Sequence, residues 1–303
     1  LNQHRFVAGQ SRKTSNPYRQ FVSDYAQLFR AGGKLPLGRA VACKIPPAKS
    51  FAPVAVICSP HPDDECIIGG LALRLRREAG FRVVNLAVTL GSKPARRAAR
   101  WRELTAACGF LGFELEAVSS PNGLQKINLT TRTKAPKVWA AAVRTTAAAL
   151  WRHRPAVIFL PHAQDWHATH IGTHWLVMDA LATLPASFNC TLVETEFWGQ
   201  MASPNLLVES SAADVADLVA ALALHVGEVR RNPYHLRLPA WLMDNVRRGA
   251  EVVGGSGGKA PDCMFATLYR VACWTNGHLT SVIPYKSNLA QADRPTTGLA
   301  IKH

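Results

Sequence analysis

No run of about 18 apolar residues occurs anywhere in the 303-residue chain, so no segment reads as a membrane-spanning helix. Arg5, Arg12, Lys13 and Arg19 interrupt the first segment, which therefore lacks the apolar core of a secretory signal. C-x-x-C pairs are missing too: Cys43, Cys58, Cys66, Cys108, Cys190, Cys263 and Cys273 are scattered through apolar surroundings. That pattern predicts reduced, mostly buried thiols and a cytoplasmic protein. Zinc-finger spacing, RNA-binding aromatic motifs and internal repeats are also absent, and no nucleic-acid partner is expected. Negative charge is scarce, with 20 Asp and Glu against 35 Lys and Arg and a net charge of +15. Such an excess favours acidic ligands or surfaces. Gly254-Gly255-Ser256-Gly257-Gly258-Lys259 lacks the Ser or Thr of a phosphate loop, since Ala260 follows the lysine, and reads as a turn.

What is present is enough for one large core, because 48% of the residues are hydrophobic. Residues 1–50 read as an N-terminal arm with a helix over 21–30, and 51–303 as the main domain with a C-terminal extension. Within it, strands over 54–58, 82–89, 114–118, 156–160 and 191–198 alternate with helices over 66–78, 95–108, 136–151 and 169–184. Helical stretches over 212–225 and 240–251 and a last strand over 266–272 follow. This order predicts an α/β fold, a Rossmann-like, mostly parallel sheet with helices on both faces.

Two loops carry the chemistry. Ser59-Pro60-His61-Pro62-Asp63-Asp64-Glu65 directly follows the apolar run 54–58, and such strand-to-helix turns line the ligand crevice of open α/β sheets. Adjacent carboxylates repel when both are ionised, so a metal ion or a shared proton is the usual reason to keep them together. Capping of the following helix by Asp63 and Asp64 is the competing reading. The second loop leaves the apolar run 157–160 and holds His162, Asp165, His167, His170 and His174. Two strand ends that each deliver His and Asp can converge on one ion.

This pair of motifs resembles the LmbE-like, or PIG-L, family of zinc-dependent N-deacetylases, whose signatures are (A/P)HPDDE and D-x-H-P-D-H. His61 to Glu65 match the first without a gap, while Asp165, His167 and His170 match the second with Ala168 and Thr169 in place of Pro and Asp. Val88-Thr89-Leu90-Gly91, Arg100-Trp101-Arg102-Glu103 and Pro121-Asn122-Gly123-Leu124 are similar to the segments between them. The resemblance implies an LmbE-like fold and a hydrolase removing acetyl from an N-acetylglucosamine-type sugar or conjugate, with Zn2+ or another divalent transition metal as cofactor. It implies that His61, Asp64 and His170 hold the metal, that Asp63 is the general base and that His167 is the acid or oxyanion partner. Arg100 and Asn122 would meet the substrate, and Asp165 and Thr169 would stand behind the histidines. Three protein ligands with an open position suit a catalytic zinc. The charge favours an anionic conjugate. The alternative is a catalytically impaired carbohydrate-binding or regulatory protein of the same fold, for which Thr169 and Asn122 are the signs. His225 reads equally as a core residue or a substrate contact, and the loops at 204–207 and 232–235 as caps of the site or simple turns.

Overall fold

The computed structural model describes residues 16–40, 46, 48–282 and 287–299. The chain divides into two compact units, Leu1–Pro36 and Leu37–His303. In the first, α1 (Tyr18–Gly32) runs longer than the predicted 21–30 and has no buried residue.

Among the described residues, the second unit is built on a nine-stranded sheet of β1 (Val54–Ser59), β2 (Arg82–Ala87), β3 (Glu114–Ala117), β4 (Val157–Pro161), β5 (Cys190–Thr195), β6 (Leu206–Glu209), β7 (Ala266–Thr275), β8 (His278–Val282) and β9 (Ser287–Leu289). Their order is β3-β2-β1-β4-β5-β7-β6-β9, with β8 on β7. Strands β3 to β5 along this path are parallel, whereas β7 runs antiparallel to β5, β6 and β8. The predicted mostly parallel sheet is therefore present, with an antiparallel addition at one side. Two expectations are corrected. The last strand is not 266–272, because β8 and β9 follow β7, and Leu206 and Leu207 lie in β6 rather than in a capping loop.

The helices of this unit are α2 (Asp64–Ile67), α3 (Gly70–Arg77), α4 (Pro94–Leu111), α5 (Leu129–Lys134), α6 (Pro136–His153), α7 (Ala168–Ala182), α8 (Ala212–Leu222), α9 (Val226–Val229) and α10 (Leu238–Val252). The single helix predicted over 66–78 is broken into α2 and α3 at Gly69, whose φ of +83° only glycine adopts without strain. Space demands glycine there as well, since a Cβ on Gly69 would lie 2.0 Å from Thr267 Oγ1.

β1 is buried along its whole length, which explains its unbroken apolar run. Its odd residues Ala55 and Ile57 join one core cluster with residues of α3, α4 and α8. Its even residues Val54, Val56 and Cys58 join a second with residues of α6 and α7. β2 pairs with one edge of β1 and β4 with the other. The chain thus reverses direction across the sheet at β1 and β4, and the crevice that opens at such a point receives the two loops that follow these strands. Among the described residues, no helix is long and apolar enough to cross a membrane.

Candidate metal centre and catalytic cavity

The loop after β1 is held open by its neighbours. Thr89 Oγ1 donates to the Pro60 carbonyl at 2.7 Å and Arg100 Nη2 to the Pro62 carbonyl at 2.9 Å. Glu65 is fully buried. Its Oε2 accepts the Asp63 N–H at 2.9 Å, and its Oε1 lies 2.7 Å from His225 Nε2. His225, 1% exposed, is thus a core residue that anchors the loop and does not touch the cavity. Asp63 itself has φ +106° and its side chain caps nothing, so the helix-capping reading fails for it. The left-handed backbone turns Asp63 and Asp64 in different directions.

Asp64 turns toward the histidines. His61 Nδ1 and His170 Nε2 are 3.2 Å apart, and Asp64 Oδ2 lies 3.5 Å from the first and 3.4 Å from the second. Donors at about 2.0 to 2.2 Å from a tetrahedral zinc are separated by about 3.3 to 3.6 Å, so this triangle fits one face of such a site. Burial alone would raise the Asp64 carboxyl, but His170 and His61 outweigh it and hold it below the usual range. His167 is the third imidazole nearby, with a donor atom within 4.8 Å of those of His61 and His170. Its Nδ1 is already committed, since it accepts the Thr169 N–H at 3.2 Å as the N-cap of α7. The triangle with Asp64 is the tighter and better fit. Glu65, Cys66 and His225 form another compact trio, and their mutual bonds within the core account for it.

Asp165 stands behind His170, not beside the His167 ring. Its Oδ1 lies 3.6 Å from His170 Nδ1 and accepts the backbone N–H of His167 at 2.8 Å. Oδ2 accepts the backbone N–H groups of Trp198 and Gly199. A carboxylate behind a ligating imidazole orients the ring and raises its basicity. Against burial, these donors and His170 hold Asp165 down to about 2. His162 and His174 are buried and bonded to the carbonyls of Gly199 and Pro161, which makes them structural.

Asp63 has different partners. Its Oδ2 accepts from Tyr234 Oη at 2.5 Å and lies 3.7 Å from Arg100 Nη2. Burial and the charge of Asp64 push its carboxyl up to about 7, against the lowering influence of His225, Arg100 and Tyr234. Tyr234 sits in a single 3-10 turn, Tyr234–Leu236, and of the 232–235 segment Asn232 and Tyr234 line the cavity.

His61, Asp63, Asp64, His167 and Thr169 line a cavity of about 790 Å3, together with Arg100, Asn128, Asn232, Tyr234 and the cations Lys93, Arg96, Lys126 and Arg231. Asn122 is exposed and is not among the lining residues. Arg100 lines the cavity; its Nη2 donates to the Pro62 carbonyl and its guanidinium lies 3.7 and 3.9 Å from Asp63 and Glu228, while its buried Nε has no hydrogen-bond partner among the described residues. It reaches them past Gly91, where a Cβ would stand 2.4 Å from Arg100 Nη1. Glu228 also binds Arg96 at 2.6 Å and Arg231 at 2.5 Å. Lys93 and Lys126 have no carboxylate partner among the described residues. Tyr234 lies in the 232–235 segment already read as a possible cap, whereas Lys126 carries no motif that would have singled it out as a site residue.

Residues 56–181 match the family model PIG-L, described as GlcNAc-PI de-N-acetylase. No curated protein matches. Among solved structures, the chain is similar to the conserved protein TT1542 from Thermus thermophilus, with 20% identity and a TM-score of 0.54 over 78% of this chain and 100% of that one. It is similar to GalB, the 4-carboxy-2-hydroxymuconate hydratase from Pseudomonas putida, with 16% identity and a TM-score of 0.52 over 72% and 95%. It is also similar to N,N'-diacetylchitobiose deacetylase from Pyrococcus horikoshii, with 15% identity and a TM-score of 0.52 over 85% and 93%. At these identities the likeness concerns the fold, which serves a hydratase as well as a deacetylase. Residues 56–181, the stretch that matches the PIG-L family model, include both loops of the candidate centre.

Proposed function

We propose that the chain is a metal-dependent amide hydrolase that removes the acetyl group from an N-acetylglucosamine-type sugar or conjugate. One observation carries the reading: His61, Asp64 and His170 present a donor triangle of 3.2 to 3.5 Å, while Asp63, on the same cavity, stays outside the triangle and is held by Tyr234. A pure binding site has no use for a second, separately held carboxylate beside the metal. A zinc or similar divalent ion, when bound, supplies Lewis acidity toward the amide carbonyl and lowers the pKa of a coordinated water to about 7.

The remaining work falls to the chain's own residues. Asp63 accepts the proton of the attacking water and, with a carboxyl near neutrality, returns it to the departing amine. His167, its Nδ1 committed to Thr169, carries the proton of its neutral ring on Nε2. Burial and the neighbouring His61 and His170 hold the ring below the usual histidine range, so it serves as an N–H donor to the carbonyl oxygen as charge develops there. The cavity volume of about 790 Å3 is in the range that takes a small conjugate. Its polar and cationic lining supports a sugar with an anionic substituent.

The test is acetate release from a panel of N-acetylglucosamine conjugates by the zinc-loaded protein, with Asp63→Ala as control. Turnover lost in Asp63→Ala supports the reading. Saturable binding of the same conjugates with no acetate released by the zinc-loaded parent would establish the carbohydrate-binding alternative instead.

A further inference from the structure

Five large apolar side chains of α1 face solvent: Tyr18 at 70% exposure, Phe21 at 67%, Val22 at 61%, Tyr25 at 47% and Leu28 at 71%. At 100° per residue they fall, with Phe29, within one arc of about 120°. Ser23, Gln20 and Gln27 occupy the opposite side, and Arg19 and Arg30 stand together on one flank. Contiguous apolar surface of this kind on a soluble chain marks an interaction site.

Charge selects the partner. The unit Leu1–Pro36 contains six basic residues, Arg5, Arg12, Lys13, Arg19, Arg30 and Lys34, and a single acid, Asp24. Apposing two copies of so basic an arm brings like charges together, which disfavours a second copy as the cover. An anionic surface is complementary. Tyr and Phe on the apolar face, with Arg19 and Arg30 together on one flank and the single Asp24 on the other, is the composition of a helix that lies in the plane of a lipid interface, where long arginine side chains bring their guanidinium groups to phosphates. With 15 residues the helix is about 22 Å long, too short to span a hydrocarbon core of about 30 Å.

We propose that α1 is an interfacial helix that binds anionic lipid surfaces, seating Tyr18, Phe21, Val22, Tyr25 and Leu28 at the boundary between headgroups and acyl chains. This inference is independent of the hydrolase reading.

The experiment is cosedimentation of the full chain with phosphatidylcholine vesicles, with and without one-third phosphatidylglycerol. Binding is expected only with phosphatidylglycerol, and rising salt should weaken it. Phe21→Glu with Leu28→Glu should reduce partitioning by on the order of tenfold or more, and Arg19→Gln or Arg30→Gln by about fivefold each. Because Glu can perturb the helix, Phe21→Ala with Leu28→Ala, which favours helix, must also show a clear loss. Absence of binding to the anionic vesicles overturns the proposal. So does binding that survives both apolar double substitutions, which would place the contact on the basic surface of the second unit. A dimer in sedimentation equilibrium that dissociates on the same substitutions would assign the face to a second copy.

Discussion

Asp63 and Asp64 share a peptide bond, yet burial and the charge of Asp64 push Asp63 up to about 7 while His170 and His61 hold Asp64 low. Different partners, reached through the left-handed backbone at Asp63, produce the division. It predicts that His61→Ala and His170→Ala each abolish tight zinc binding, whereas Asp63→Asn retains the metal and loses on the order of 10² to 10⁴ in kcat. Metal content and kcat measured on the same preparations check this; loss of zinc from Asp63→Asn would erase the distinction between ligand and base. Tyr234 acts through Asp63 by its hydrogen bond of 2.5 Å. Removing a bond to a charged group costs about 1.5 to 3 kcal/mol, so Tyr234→Phe should lower kcat by about 10- to 100-fold with zinc content unchanged. An unaltered kcat would show that Asp63 keeps its orientation without the tyrosine.

At the scale of elements, Glu228 fastens α9 to α4. From α9 its carboxylate takes Arg96 and approaches Arg100, both on α4, and also binds Arg231. Burial opposes the charge, but these three arginines outweigh it and depress the Glu228 carboxyl below the usual range. A depressed carboxyl stabilises the fold fully above its unfolded value of about 4.3 and ceases to do so as pH falls through the folded value. Glu228→Gln should therefore destabilise the protein at neutral pH by about 1.5 to 3 kcal/mol, part of it screened because Arg231 is exposed. The difference from the parent should begin to close below the unfolded value of about 4.3 and vanish once pH has fallen through the depressed folded value. Urea unfolding of both proteins across pH measures it. A difference that persists unchanged into acid would mean that Glu228 contributes packing, not charge.

For the molecule as a whole, a net charge of +15 surrounds a cavity whose cations are unequally engaged. Sequence similarity pointed to Arg100 as the substrate's contact, but both its Nη atoms face groups of the protein, the Pro62 carbonyl, Asp63 and Glu228, and its remaining Nε is buried. Arg100→Ala should thus depress turnover of neutral and anionic substrates alike. Lys93 and Lys126 line the same cavity without a carboxylate partner among the described residues, so their replacement by Ala should impair only anionic substrates. Capture of those substrates should also weaken as salt shortens the screening length to about 10 Å at 0.1 M. Comparing kcat/KM for N-acetylglucosamine and a phosphorylated conjugate across ionic strength decides between the cations. A selective loss in Arg100→Ala, with the lysine variants unaffected, would return the anion site to Arg100.

The amino-acid sequence by itself determined the α/β alternation and the residues of both loops. His61, Asp63 and Asp64 lie within four consecutive positions, and Asp165, His167 and His170 within six, so each set issues from one strand end and keeps its spacing wherever that strand docks. Burial on both faces wrote β1 as a continuous apolar run, legible for the same reason. Tertiary structure decided what those loops meet. Tyr234 reaches Asp63 across 171 positions of the chain, Glu65 binds His225 across 160, and Gly69, where the predicted helix breaks, has no room for a side chain because Thr267 occupies the space beside it. β6 escaped notice because four residues are too few to show a period. These contacts depend on where separately folded segments pack, and a hydrogen bond or a steric limit between distant residues leaves no periodicity in the sequence to mark it.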